Sequence, residues 1–98
     1  MILEITNYFP RPGMEDAVLR HRHRGCDVRE AMGLPRGEVF TLMEGSGSAV
    51  RWMCRFADEA TFRLDLARRT ESPDFALQRQ EMGALVERFE RSVYRLDA

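Results

Sequence analysis

The sequence predicts an α+β fold in which helices cover one face of a four-stranded antiparallel sheet. Four short stretches alternate apolar and polar residues with a period of two, which is typical of strands. Between them, apolar residues recur at steps of three and four, which is typical of amphipathic helices. Because these elements share only 98 residues, we expect a single domain over residues 1–98.

The first strand is predicted over residues 2–9 and the first helix over residues 14–32. Prolines 10 and 12 and Gly13 end the strand, since proline cannot donate to a strand ladder. The expected inward stripe of the helix comprises Met14, Ala17, Val18, His21, Gly25, Val28 and Met32. Gly25 costs about 1 kcal/mol relative to alanine. It either permits a close approach to the sheet or marks a break in the helix.

The remaining elements follow in the same way. The predicted strands span residues 38–44, 49–56 and 89–96, and the predicted helices span residues 58–69 and 73–87. Residues 45–48 are glycine and serine, which indicates a hairpin turn. Asp58 and Ser72 are expected to cap the helices that follow them, the second with Pro73 at its first position. The stripe of the second helix is expected to contain Ala60, Thr61, Leu64 and Ala67, widened by Phe62 and Leu66. That of the third helix is expected to contain Phe75, Gln78, Met82, Leu85 and Val86.

This order of elements is the ferredoxin-like β-α-β-β-α-β arrangement. Right-handed crossovers place the helices on one face of the sheet and leave the other face bare. We expect Ile2, Tyr8 and Met53 on the bare face. An apolar sheet face of this kind is unfavourable in water, so a homodimer joined through it is predicted.

Composition excludes several classes of partner. The net charge of −1 gives no electrostatic case for nucleic acid or an anionic membrane. The first residues lack a signal peptide's features and no apolar run approaches a membrane span, so a cytoplasmic location is expected. All 15 basic residues are arginine, which excludes lysine Schiff-base chemistry. Cys26 and Cys54 form no metal or redox motif, and we interpret them as free thiols.

Three stretches carry a resemblance to a known superfamily. They are the strand and helix start VRWMCRFADEA, the helix restart Ser72-Pro73-Asp74-Phe75, and a terminal strand containing Tyr94. Over essentially its whole length the chain resembles the dimeric α/β-barrel superfamily, whose small members include antibiotic-biosynthesis monooxygenase-like and NIPSNAP-like domains. The resemblance implies a homodimer with a cleft between helices and sheet in each subunit.

The resemblance also implies which residues face that cleft. On the helix side it would place Leu3, Ile5, Asn7 and Phe9 of the first strand, and Val50, Trp52, Cys54 and Phe56 of the third. Arg51, Met53 and Arg55 would then face the partner subunit.

A haem-degrading branch of the superfamily uses an asparagine, a tryptophan and a histidine. Asn7 matches the first position, but Phe56 stands where the tryptophan would be and Arg79 or a neighbour where the histidine would be. Because two of the three positions depart, haem degradation is not predicted. No cofactor and no metal are expected.

Six residues are candidates for the site. His21 and Asn7 are the candidate catalytic residues, and Trp52, Phe56, Cys54 and Phe9 are the candidate ligand-binding residues. His21 is either a general base near neutral pH or a core histidine bonded to a carbonyl or an amide. Asn7 either orients a ligand or satisfies another buried group. Trp52 either walls a pocket or belongs to the core, and Cys54 is expected to be inert.

Two functions remain open at this point. In the first, the cleft binds a compact apolar or aromatic molecule and acts on it as a cofactor-independent monooxygenase-like enzyme, with His21 as the base. In the second, the domain is a non-catalytic dimerisation or ligand-sensing module whose cleft is filled by residues such as Met14, Val28 and Met82. Whether the protein is an enzyme, and what its ligand is, stay undetermined.

Overall fold

A computed structural model describes residues 1–97 of the chain. Its elements, in chain order, are β1 (Ile2–Pro10), α1 (Glu15–Ala31), β2 (Glu38–Thr41), β3 (Val50–Phe56), α2 (Glu59–Thr70), α3 (Pro73–Leu85) and β4 (Val86–Arg95). The order of strands and helices is the predicted one. The largest differences are that β2 is shorter than expected and that β4 begins directly where α3 ends.

The four strands form one sheet in the order β2-β3-β1-β4, and every neighbouring pair is antiparallel. This is the predicted ferredoxin-like topology. The predicted helix starts are also correct, because Asp58 accepts a hydrogen bond from the Thr61 backbone N–H at 2.8 Å and Ser72 accepts one from that of Phe75 at 3.1 Å. These bonds satisfy backbone donors that the first helical turn leaves free.

The two central strands differ in how well their faces were predicted. In β3, Val50, Trp52, Cys54 and Phe56 are each 2% exposed and lie on the helix side, as expected. In β1 the assignment is wrong. The pairing register sets Glu4 opposite Cys54, Thr6 opposite Trp52 and Tyr8 opposite Val50, so the even-numbered residues of β1 share the helix side. Ile2 and Tyr8 are therefore buried beneath the helices, whereas Met53 lies on the open face as predicted.

The inward faces of the helices carry charges that the apolar pattern does not reveal. In α1, Val18, His21 and Gly25 are buried as predicted, but Arg22, Cys26 and Arg29 are buried too, and Met14 is exposed. In α2 the prediction is correct for Phe62, which is buried, but wrong for Leu64, which is 67% exposed. Asp65 and Arg69 are buried in its place. In α3, Met82 is buried as expected.

Gly25 does not break α1, which runs without interruption from Glu15 to Ala31. A Cβ atom at Gly25 would lie 2.6 Å from Nη2 of Arg22. Glycine at this position therefore gives the Arg22 guanidinium the space to lie against the helix backbone.

The face of the sheet opposite the helices is left open. Leu3, Ile5, Phe9 and Met53 are half-buried on it, and Tyr94, beside Leu3, is 57% exposed. This is the more apolar of the two faces of β1, and it is the face that the resemblance placed in the cleft. Within residues 1–97, no helix combines the length and the hydropathy needed to cross a bilayer.

Candidate functional site

A cavity of about 300 Å³ lies between α1, α3 and the sheet, with the C-terminal end of α2 along one side. Four aromatic side chains border it: Tyr8 from β1, Trp52 from β3, Phe75 from α3 and Phe89 from β4. Charged side chains border it as well. They are Glu4, Arg22, Arg29, Arg69, Arg79 and Arg91. The cleft is therefore aromatic, as the sequence suggests, but far more cationic than expected.

Glu4 lies on the floor of the cavity and is only 2% exposed. Arg69 donates to both of its carboxylate oxygens, at 3.0 and 2.7 Å, and Arg91 donates to Oε2 at 2.7 Å. Burial alone would raise the pKa of Glu4, but the hydrogen bonds and charges of Arg69 and Arg91 outweigh it, so the pKa lies below the ordinary value. Glu4 is consequently an anion whose two carboxylate oxygens both accept hydrogen bonds from arginine.

Arg29 and Asp65 form a second buried pair, at one edge of the cavity. The Nη2 and Nη1 atoms of Arg29 donate to the two oxygens of Asp65 at 2.6 and 3.3 Å, and its Nε donates to the carbonyl of Pro35 at 2.6 Å. Arg29 is fully buried, and Asp65 also lies 3.5 Å from Arg69. The two pairs thus form one continuous network linking α1, α2 and the sheet.

Arg22 is the exception among these arginines. Its side chain is 9% exposed and Nη1 donates to the hydroxyl oxygen of Tyr8 at 2.9 Å. Its Nε has no hydrogen-bond partner, and no carboxylate among residues 1–97 forms an ion pair with it. The guanidinium carbon lies 5.0 Å from the ring centre of Trp52, a cation–π contact that lowers but does not remove the cost of burying a charge.

His21 lines the cavity, and both of its ring nitrogens are engaged. Nε2 lies 2.8 Å from the backbone carbonyl of Gln78, and Nδ1 lies 3.1 Å from Nη2 of Arg24. A carbonyl can only accept and a guanidinium can only donate, so this geometry fits the neutral ring with the proton on Nε2. His21 connects α1 to α3, as the core alternative for this residue anticipates, and its basic nitrogen is covered by Arg24.

Trp52 forms part of the cavity wall, on the side predicted for it. Its Nε1 donates to the backbone carbonyl of Arg36 at 3.0 Å. Gly37 has a φ of +75°, and a Cβ atom there would collide with Nε1 of Trp52. The loop before β2 therefore fixes the indole against the two arginines of α1.

Asn7 and Phe9 lie on the open face of the sheet, so their expected place in the cleft is wrong. Oδ1 of Asn7 accepts from the Ser48 hydroxyl at 2.9 Å and from Nε of Arg51 at 2.7 Å. The ring of Phe9 lies 3.8 Å from the guanidinium carbon of Arg88. The reason is that side chains alternate between the two faces of β1, so Asn7 and Phe9 lie on the face away from Thr6 and Tyr8.

Cys54 and Phe56 face the helices as predicted but do not border the cavity, because α2 covers this end of β3. Phe56 packs edge-on against Phe62 of α2, with ring centres 5.2 Å apart. Burial raises the pKa of the Cys54 thiol, and the opposing charge of Arg29 does not offset it. The thiol therefore stays protonated at neutral pH, in agreement with its expected inertness.

Sequence reasoning missed most of the polar lining. Tyr8 and Glu4 were missed because the faces of β1 were inverted, and Arg22 is not among the residues predicted to point inward from the first helix. One signal pointed to Arg22: a glycine stands three residues later inside a helix, where it costs stability. The buried side chain of Arg22 lies against Gly25, which explains why a glycine stands at this position.

Comparisons with solved structures show that this fold recurs. An uncharacterised NIPSNAP domain protein from Burkholderia xenovorans superposes with a TM-score of 0.78 at 15% identity, covering 100% of this chain and 96% of that one. A dimeric protein of unknown function with a ferredoxin-like fold from Bacteroides fragilis gives 0.71 at 13% identity, with coverages of 97% and 95%.

A mutant of SnoaB, a cofactor-independent oxygenase from Streptomyces nogalater, gives a TM-score of 0.61 at 15% identity, with coverages of 99% and 93%. The resemblance predicted from the sequence is thereby confirmed at the level of fold. No protein-family model matches the sequence, and no curated protein matches it either.

Proposed function

We propose that this protein binds a compact small molecule with an aromatic part in the cavity between α1, α3 and the sheet. The observation that carries the proposal is an open volume of about 300 Å³ bordered by Tyr8, Trp52, Phe75 and Phe89. Ligand sites of small molecules begin at roughly this volume and combine aromatic walls with a few polar groups. A filled cleft fits less well, because Met14 is exposed and only Met82 of its expected fillers borders the space.

Tryptophan fluorescence tests this proposal directly, since Trp52 is the single tryptophan of the chain. The probes are two acid–amide pairs, benzoate with benzamide and 1-naphthoate with 1-naphthamide, and calorimetry provides a second readout. We expect at least one probe to bind and to change the emission of Trp52. Binding of none of the four would contradict the proposal.

A cavity-filling variant supplies the matched control. Gly83 borders the cavity, and a Cβ atom there would meet no neighbour within 4 Å, so Gly83→Leu places a side chain at the opening. It should weaken probe binding at least about tenfold, or ~1.4 kcal/mol. Gln80→Leu changes an exposed position of α3 that does not border the cavity and should leave affinity unchanged.

The homodimer is a further part of the proposal. It is supported by the apolar residues on the open sheet face and by the dimeric description of the Bacteroides fragilis protein with the same fold. Sedimentation velocity at micromolar concentration should find a dimer, and Ile5→Asp on the open face should give a monomer. Leu77→Asp, at an exposed position of α3, should stay dimeric; a wild-type monomer would contradict the dimer.

Conversion of the ligand by His21 is the second candidate function. It is favoured by the burial of His21 at the cavity and by the fold shared with an oxygenase. Because Nδ1 accepts from Arg24, the exposed Arg24 side chain would have to swing away before the ring could accept a proton. The test is oxygen uptake in the presence of an aromatic probe that carries an ionisable proton. Uptake by the wild type that is lost in His21→Ala would favour conversion. Absence of uptake by the wild type leaves binding as the function.

A further inference from the structure

Resting on the proposed binding of a small molecule, we infer that the ligand is an aromatic carboxylate and that Arg22 binds its carboxylate group. The inference names the chemical class of the ligand and the residue that selects it. It depends on the charge, burial and surroundings of Arg22.

The burial of Arg22 without a counter-ion is the first argument. A buried guanidinium is expensive unless a carboxylate and further hydrogen bonds compensate it. Arg22 has one hydrogen bond, to a neutral phenol, and its Nε donor is buried with no partner among residues 1–97. A bound carboxylate at the cavity side of this guanidinium would supply the missing negative charge.

The position of Arg22 is fixed in advance of binding. Tyr8 holds Nη1, the Trp52 ring lies beneath the guanidinium carbon, and Gly25 leaves room for Nη2. A side chain that is already ordered loses little conformational entropy when a ligand arrives. This preorganisation distinguishes Arg22 from Arg79, which borders the same cavity but is exposed.

The other charges of the cavity leave Arg22 uncompensated. Glu4 is occupied by Arg69 and Arg91, and Asp65 by Arg29 and Arg69. This network already contains three guanidiniums against two carboxylates, so neither acid is available to Arg22. The cavity carries a net positive charge that favours an anion over a neutral molecule or a cation.

The aromatic part of the ligand follows from the rest of the lining. Phe75 and Phe89 border the same space as Arg22 and Trp52. Aromatic faces and edges stack favourably on a planar ring. A carboxylate attached to one or two rings therefore matches the cavity in both charge and surface.

The experiment compares each acid with its neutral amide in the wild type and in two variants. We expect benzoate or 1-naphthoate to bind at least about tenfold more tightly than the corresponding amide. Arg22→Gln should abolish this preference. Arg20→Gln removes an exposed arginine from the same helix, outside the cavity, and should retain the preference.

Gly25→Ala gives a second route that leaves Arg22 in the chain. The added methyl group would displace the guanidinium, while alanine raises the helix propensity of α1. We expect the acid-over-amide preference to fall several-fold while urea unfolding shows no loss of stability. This variant covers the case in which Arg22→Gln fails to fold.

The outcomes separate the inference from the function on which it rests. If acid and amide bind the wild type equally, or if the preference survives in both Arg22→Gln and Gly25→Ala, the inference is wrong while small-molecule binding stands. If no acid or amide binds, the proposed function fails and the inference falls with it.

Discussion

Arg22 and Arg29 lie about two turns apart on one helix, and both are buried beside the same indole ring. Their guanidinium carbons are 5.0 and 4.8 Å from the ring centre of Trp52. Both arginines border the cavity, but Arg29 is paired with Asp65 of α2, whereas Arg22 is bonded only to the hydroxyl of Tyr8. The comparison teaches that the charge of a buried arginine can be compensated within the protein at one position of a helix and left without a counter-ion two turns away.

The physical difference lies in what each charge meets. Arg29 donates to a carboxylate and a backbone carbonyl, so its desolvation is offset within the protein. Arg22 donates to one hydroxyl group. Burying an incompletely compensated charge reduces stability, and such groups concentrate at functional sites.

The largest expected effect on stability comes from breaking the ion pair between Arg29 and Asp65. Asp65→Ala leaves Arg29 buried without its carboxylate and removes a neighbour of Arg69. We expect a loss of about 3–5 kcal/mol in the free energy of unfolding, measured with urea. Glu59→Ala, on the same helix, disrupts only exposed ion pairs, with Arg63 and with Arg95 of β4, and should cost less than about 1 kcal/mol.

Trp52 supports both arginines, so disturbing its position should come next in size. In Gly37→Ala, a residue with a φ of +75° also gains a methyl group that collides with Nε1 of Trp52. We expect the free energy of unfolding to fall by more than the ~1–3 kcal/mol that backbone strain alone costs. Gly45→Ala, at a φ of +106° with no neighbour within 4 Å, carries backbone strain alone and should cost less. Equal losses would indicate that Trp52 does not depend on this contact.

Lowering the pH tests how far the ion pairs of Glu4 with Arg69 and Arg91 stabilise the fold. The pKa of Glu4 is lowered in the folded protein, so its ionised form contributes stability above the unfolded value of about 4.5 and loses that contribution as pH falls below it. The free energy of unfolding should therefore decline with falling pH below about 4.5. Glu4→Gln should be less stable at neutral pH and should show a shallower decline. A decline of equal slope in the variant would assign the effect to other carboxylates.

The smallest effect on stability should come from replacing Arg22, whose charge has no counter-ion among residues 1–97. Arg22→Met removes a buried charge together with one hydrogen bond and one cation–π contact. Because the desolvation cost disappears with the charge, we expect a change within about 1 kcal/mol in either direction. A loss as large as that of Asp65→Ala would mean that Arg22 stabilises the fold as Arg29 does.

The sequence was most informative where two signals agreed. β3 was assigned correctly because its alternation led directly into the Asp58 cap. The faces of β1 were assigned from the resemblance alone, and the assignment was inverted because the more apolar face of this strand is the open one. No local pattern within β1 distinguishes the face under the helices from the open face, so the strand itself could not correct this error.

The site was less predictable than the fold. His21 and Trp52 were found because each falls on an apolar stripe. The charged lining was missed because arginine and aspartate are solvated by default, and their burial depends on partners far away in the chain. Asp65 is 36 positions from Arg29, and Arg69 is 65 positions from Glu4. Such pairings become visible only when the fold brings the elements together.

A two-dimensional proton–nitrogen correlation NMR spectrum of the arginine Nε–H groups tests the comparison of Arg22 with Arg29 most directly. Arg22→Gln and Arg29→Gln would identify the two signals by their absence. On addition of benzoate to the wild-type protein, the Arg22 signal should move progressively to saturation while the Arg29 signal, already bonded to Pro35, stays in place. An Arg22 signal that does not move, or equal movement of both signals, would contradict the assignment of Arg22 to the ligand.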